Sequence, residues 1–196
     1  MIKLIVGLGN PGDEHLSDRH NAGFWLCDKI AQYLSCHFSL DKSHKGQIAK
    51  ASFRQQNIWL LKPQTYMNLS GESVGSVAKF YQIDPSQVLV IHDELDIPAG
   101  VARLKSGGGT GGHNGLKSIT SHLGTPNYWR LRIGIGHPRD IVPVGSPHQE
   151  VASYVLKKPS QKDQDLIDKS FDKVLDVFSL MVSDDPSSAM KTLHTQ

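Results

Sequence analysis

Lys3-Leu4-Ile5-Val6-Gly7-Leu8-Gly9-Asn10-Pro11-Gly12 is the stretch whose reading decides the fold. Lys3–Val6 reads as a short buried strand, since its apolar residues do not alternate with polar ones. Gly7, Gly9 and Gly12 then break it into a loop. A helix follows over Ala22–Leu34, with Phe24, Leu26, Cys27, Ile30, Ala31 and Leu34 forming one broad apolar face. Strand, glycine loop and helix in that order open an α/β domain.

The rest of the chain continues the alternation. Gln47–Phe53 and Ile58–Leu61 read as strands joined across the polar Arg54–Asn57, and Ser70–Tyr81 reads as a helix. Val88–Ile91 is a fully apolar strand that runs straight into His92-Asp93-Glu94. Val101–Lys105 and Trp129–Ile135 are further strands, with a short helix near Gly115–Leu123 between them. A long helix over Lys162–Val182 carries the stripe Leu166, Ile167, Phe171, Val174, Leu175 and Phe178. One α/β sandwich domain over residues 1–182 is expected, with a loosely held polar tail over 183–196 that contains Pro186.

Composition narrows the function classes. A chain of 196 residues with 38% hydrophobic and 20% charged residues is neither disordered nor fibrous. No run of 18 apolar residues exists, so no membrane partner is expected. The opening Met1–Gly7 is too short for a signal peptide, and Cys27 and Cys36 fit neither CxxC nor a zinc framework. The expected setting is a reducing cytoplasm. Net charge is only +2, yet Val101–Arg139 holds six Lys and Arg and no acid. The other 15 basic residues face all 19 acids. That segment is either the footprint of a polyanion or a solvated face whose counter-charges come from elsewhere in the fold.

Gly7-x-Gly9-x-x-Gly12 has dinucleotide-binding spacing. Pro11 within the loop, the carboxylates Asp13-Glu14 after it and the lack of a confirming acid about 20 residues on argue against a pyrophosphate there. An NAD titration would discriminate that oxidoreductase reading. His20, in Arg19-His20-Asn21-Ala22-Gly23, lies where loop meets helix and is either a surface or capping residue or a base. Three carboxylates, Asp93, Glu94 and Asp96, sit just past a buried strand. They suit a metal, the partner of a catalytic histidine, or plain solvation. Gly107–Gly115 packs six glycines into nine residues without the GK[ST] of a nucleotide loop, so its N–H groups suit a phosphate or an oxyanion. With Lys105 and Arg132 on neighbouring strands, anionic contact is the better reading. No GxSxG elbow or reactive-looking cysteine offers a covalent nucleophile.

Together these segments resemble bacterial peptidyl-tRNA hydrolases. The matching stretches are VGLGNPG (Val6–Gly12), RHNAG (Arg19–Gly23), KPQTYMNLSG (Lys62–Gly71), HDELDIPAG (His92–Gly100), GGGTGGHNGLKS (Gly107–Ser118) and RLRIGIGHP (Arg130–Pro138). Six motifs in one order over essentially the whole chain are far more specific than any one of them. The resemblance implies a monomeric α/β/α sandwich around a twisted, mixed, mostly parallel sheet, and cleavage of the ester between a peptide and the tRNA 3′ end. It makes His20 the general base and Asp93 its orienting partner. Asn10, Asn68 and Asn114 would position the peptide and the attacked carbonyl, with Tyr66, Met67 and His113 in the same cleft. Lys105 and Arg132 would hold tRNA phosphate, within contacts to the acceptor and T-arm phosphates and the 3′ CCA end. Two positions depart from the family pattern: His15 stands where tyrosine is usual and Gln64 where methionine is common. His15 therefore enters as a substrate-contact candidate without that tyrosine's ring.

The chemistry fits these side chains without metal or cofactor. Ester hydrolysis by water needs a base with pKa near 7, an orienting acid and donors for the developing oxyanion. Neutral asparagines suit a peptide backbone and match a free α-ammonium poorly, which would spare aminoacyl-tRNA. A non-catalytic RNA-binding protein would keep the basic segment and lose the base or its acid; this chain retains both. Ile141–Gln149 is a candidate lid over the cleft.

Overall fold

Successive side chains of the Val88–Glu94 strand feed two different cores, and this alternation builds the molecule. A computed structural model describes residues 1–141, 143 and 150–195. Its strands are β1 (Leu4–Gly7), β2 (Ser39–Asp41), β3 (Gly46–Phe53), β4 (Gln56–Pro63), β5 (Val88–Glu94), β6 (Ala102–Ser106) and β7 (Trp129–Gly134). They form one sheet in the order β2-β3-β4-β1-β5-β7-β6. The central β4, β1, β5 and β7 are parallel, and the hairpin strands β2 and β3 at one edge and β6 at the other are antiparallel. The expected mixed, mostly parallel sheet is what forms.

The helices are α1 (Ala22–Tyr33), α2 (Ser70–Phe80), α3 (Asn114–Leu123), α4 (Val151–Val155), α5 (Gln161–Asp176), α6 (Phe178–Met181) and α7 (Pro186–His194). Ile5, Leu89 and Ile91 pack with apolar residues of α1, α5, α6 and α7, while Leu4, Val6, Val88 and Val90 pack with those of α2 and α3. Three layers result, because side chains alternate across a strand and both faces of a parallel sheet must be covered. The close seat of α1 depends on Gly23. A Cβ there would stand 2.4 Å from the Ile91 carbonyl oxygen and 2.5 Å from the Leu8 nitrogen. Only a glycine lets the start of α1, and with it the turn carrying His20, sit directly on the ends of β1 and β5.

Several expectations are corrected. The tail from Ser183 is not loose: Pro186 opens α7, and Ala189 and Leu193 are buried. Proline suits the first helical turn, and the small apolar stripe of a short helix was too brief to register as periodicity. The helix over Lys162–Val182 is two helices, since the chain turns at Val177 so that Val177, Phe178 and Met181 all reach the core. The polar connection Arg54–Asn57 is a tight turn, Phe53 pairing with Gln56 and Arg54 and Gln55 both taking positive φ, the conformation that matches strand twist in two-residue hairpins. β5 extends through Glu94, so His92, Asp93 and Glu94 stand on the strand rather than past it. Apart from Ile141 and Pro143, the candidate lid Ile141–Gln149 lies outside the described residues. No described helix is long and apolar enough to cross a membrane.

Candidate active site

Asp93 stands at the carboxyl end of β5, buried, and two imidazoles converge on it from opposite layers. His20, in the turn before α1, donates from Nδ1–H to Asp93 at 2.8 and 2.9 Å. His113, just before α3, donates from Nε2–H to Asp93 Oδ1 at 2.8 Å. The protons can be placed from the partners. His113 Nδ1 accepts the backbone N–H groups of Gly115 (3.1 Å) and Leu116 (3.4 Å), capping α3, so its one proton is on Nε2. His20 spends its Nδ1 proton on the carboxylate, which leaves Nε2 as a lone pair toward the cleft. Burial works against the Asp93 charge, but His20 and His113 outweigh it and hold the carboxyl well below the usual range. Burial likewise opposes a charged His20, yet Asp93 wins and raises its pKa above the ordinary 6.5. His92, on the same strand end, is fully buried, which pushes its pKa down to about 3 and keeps it neutral.

A cleft of about 350 Å³ opens in front of this group, lined by His20, Asp93, His113, Asn114, His137 and Val151 among others. Asn10 is buried nearby in a reciprocal clasp: its backbone N–H donates to Asn21 Oδ1 (2.8 Å) and its carbonyl accepts Asn21 Nδ2–H (3.0 Å). The Asn10 side-chain oxygen accepts the Met67 N–H at 2.8 Å. That bond points the Asn10 Nδ2 donors away from Met67. Met67 is buried, its sulfur beside Gly115. Asn68 and Tyr66 are exposed and lie outside the lining of the cleft, Tyr66 at 66%. Leu69, not Asn68, precedes α2, and no side chain caps it. Asn114 is the first residue of α3 and is exposed, the cap being His113.

The chain matches the family description Peptidyl-tRNA hydrolase over residues 4–196. It belongs to that family. It is 56% identical to the peptidyl-tRNA hydrolase of Polynucleobacter necessarius subsp. necessarius and 49% identical to that of Cupriavidus necator, each over 196 residues that span all of this chain and 99–100% of the relative. Among solved structures, the peptidyl-tRNA hydrolase of Acinetobacter baumannii is similar at TM-score 0.90 and 45% identity, covering 98% of this chain and 94% of that one.

For this member of the family, the structure divides the basic segment into three kinds of residue. Lys105 and Arg132 line a groove of about 190 Å³ with Thr110 and Gly111, and Glu94, Asp96 and Gly111 line both this groove and the histidine cleft. Arg132 Nε donates to Glu94 at 2.9 Å, and Arg139 pairs with Asp96 at 3.3 Å. Some counter-charges therefore do come from elsewhere in the fold. Arg130 is buried beneath the glycine loop, donating to the carbonyls of Gly109, Gly108 (2.8 Å) and Pro126 (3.3 Å). Tying down those carbonyls fixes a loop in which Gly107, Gly108, Gly111 and Gly112 take positive φ.

His15 is not brought to the cleft. It bonds Asp18 at 2.7 Å within the turn that leads to His20. Sequence reasoning missed Asn21, the role of Arg130 and the sharing of Asp93 by two histidines. Asn21 follows His20 directly, but a buried amide that clasps a backbone has no periodic signature. His20, Asp93 and His113 offer ligand atoms within 4.8 Å of one another, a spacing that would admit a cation. Those same atoms are already engaged in the hydrogen bonds just described.

Proposed function

We infer that this member of the peptidyl-tRNA hydrolase family cleaves the ester between a peptide and the 3′ end of tRNA, with His20 as general base and Asp93 as its orienting partner. The observation that carries the reading is the His20 Nδ1–Asp93 pair opening onto a cleft. Asp93 fixes the tautomer that leaves Nε2 free, and it stabilises the imidazolium formed as water attacks the ester carbon. Asn114, which lines the cleft, and the Asn10 Nδ2 group are assigned as donors for the peptide and the developing oxyanion, with Asn68, Tyr66 and Met67 following the peptide away from the base. Lys105 and Arg132 hold phosphate in the adjoining groove, without regard to sequence, since these contacts read backbone rather than base. Acceptor and T-arm phosphates follow from that groove, and the protein works as a cytoplasmic monomer with no cofactor. His15 supports the base turn instead of touching substrate.

The test is release of N-acetyl-aminoacyl groups from tRNA, with free aminoacyl-tRNA as control. Rapid release of the blocked ester alone, lowered by at least about 10²-fold in His20→Ala, is expected. Activity that survives His20→Ala sinks the mechanism, and binding of tRNA without release sinks the enzyme.

A further inference from the structure

Arg19 is a buried cation with no carboxylate partner among the described residues, and it sits next in sequence to His20. Its Nη1 donates to two carbonyls, those of Tyr154 and Lys157, both at 3.1 Å. Its guanidinium carbon lies 4.0 Å over the Tyr154 ring. Its own backbone N–H donates to the Lys157 carbonyl at 3.1 Å. Tyr154 is in turn fixed from its far end, its hydroxyl donating to the Ile135 carbonyl at 2.8 Å beyond β7. All of these partners except Ile135 lie in α4 or just after it. Arg19 Nε is buried without a partner, so the orientation is dictated by the carbonyls and the ring rather than by satisfying every donor.

Helix α4 is five residues long and no side chain caps it, so Tyr154 and Val155, both buried in the core, and the bonds to Arg19 are what hold it among the described residues. Yet Val151, Ala152 and Val155 form the wall of the cleft on which His20 opens. One guanidinium nitrogen meets both carbonyls while the planar group stacks on a ring, a combination that a lysine ammonium lacks the flat face to reproduce. We propose that Arg19 is a positioning residue that clamps the α4 wall to the turn carrying His20, so that the general base and the cleft wall move as one unit. Spending a buried charge on the C-terminal carbonyls of a short helix is costly unless those bonds are kept, which makes the clamp rigid. Since a misplacement of about 1 Å at a reacting group costs up to 10²-fold in rate, slack between His20 and α4 is felt in turnover.

The proposal rests on His20 acting as the base, and its test separates the two. Wild type, Arg19→Met, Arg19→Lys and Tyr154→Leu are assayed for N-acetyl-aminoacyl-tRNA hydrolysis well below each melting temperature, and amide hydrogen exchange of Val151–Lys157 is followed in parallel. Arg19→Met is expected to lower kcat about 10-fold or more, to raise KM less, to leave the acid limb of the pH profile in place, and to speed exchange in α4. Arg19→Lys, keeping the charge but not the flat face, should recover only part of the loss. If Arg19→Met fails to fold, Tyr154→Leu carries the same expectation, because it removes the ring from under the guanidinium. A lower melting temperature with wild-type kcat and KM in the folded enzyme overturns the proposal. So does unchanged exchange in α4, whatever happens to activity. A wild-type protein without hydrolytic activity refutes the functional reading, while the exchange data still report on the clamp.

Discussion

Asp93→Asn tests the proton arrangement directly, because the structure dictates which way the new amide must face. The carboxylate accepts from two imidazoles, His20 at 2.8 Å and His113 at 2.8 Å. Oδ1 lies within reach of both imidazoles, 2.9 Å from His20 and 2.8 Å from His113, while Oδ2 faces His20 alone at 2.8 Å, and an amide must put its NH₂ donor at one of these two positions. The His113 proton cannot move, since Nδ1 is held as an acceptor by the Gly115 and Leu116 N–H groups. The amide oxygen must therefore turn to His113 and its NH₂ to His20. That forces the His20 proton from Nδ1 to Nε2 and removes the lone pair that activates water. The charge that raises the His20 pKa is lost in the same step. Geometry is nearly unchanged, so the loss falls on kcat, by roughly 10²–10⁴-fold and toward the upper end for a wrong tautomer. Single-turnover release of N-acetyl-aminoacyl groups across pH 5–9 measures it. The native acid limb should have its midpoint above 6.5, because the base must lose a proton whose pKa is raised. Replacing His113 as well, in Asp93→Asn/His113→Leu, frees the amide to rotate and should restore activity on the order of tenfold over the single variant. If the single variant keeps more than about a tenth of native kcat, or the double variant is no faster than the single one, the tautomer reasoning is wrong.

Two further perturbations probe the supports of the site. Gly115→Ala would place a Cβ 2.7 Å from the Met67 sulfur, 2.8 Å from Leu8 Cδ1 and 3.1 Å from His113 Cε1. Overpacking there should cost about 1–3 kcal/mol, read by thermal or denaturant unfolding, and should lower activity by displacing His113. An unchanged melting temperature would show that Met67 yields freely. The other concerns α7: the Leu104 N–H on edge strand β6 donates to His194 Nε2 at 3.1 Å, a bond that needs a neutral ring. Burial, with Arg103, lowers the His194 pKa. The folded pKa is depressed, so this contribution to stability is present above about pH 6.5 and is lost as pH falls through the folded value. Protection factors at Leu104 and along α7, after division by the intrinsic exchange rate at each pH, should be lower at pH 5 than at pH 7.5, and equal protection would refute the coupling.

The elements that positioned the site were legible because their patterns are local. The apolar run of β5, the glycines after β1 and the helical stripe of α1 each state their structure within about ten residues. His20, Asp93 and Asn114 could be nominated because such residues at strand and loop ends are where α/β folds place ligands. What stayed hidden is what depends on three-dimensional closure. Nothing local says that Arg130 spends its guanidinium on the carbonyls of the glycine loop while Arg132, two residues on in the same groove, pairs with Glu94. Nor does any pattern say that His113 caps a helix with one nitrogen and reaches Asp93 with the other. His15, nominated by its position in the family pattern, is engaged by the fold with Asp18, a bond that no local pattern states. Burial of a short helix is equally silent, which is why α7 read as tail.

The period of two along β5 also separates the two chemistries that this site must keep apart. Asp93 faces the base, while His92 and Glu94, one residue to either side, line the groove that holds Lys105 and Arg132. A cation left free beside His20 would lower its pKa and weaken it as a base, whereas the groove needs cations to meet phosphate. Glu94, which borders both the groove and the cleft, eases the conflict by pairing with Arg132 at 2.9 Å. His92 reinforces the separation, since it is buried and neutral, with its Nδ1–H donating to the Asp93 carbonyl at 2.8 Å. His20 therefore answers chiefly to Asp93, with Asp18 adding to the same effect, although basic side chains line the groove next door. On the proposed assignment of His20 as base and of Lys105 and Arg132 as phosphate contacts, one strand end thus allows a polyanionic substrate to be held beside a base whose raised pKa suits it to accept a proton.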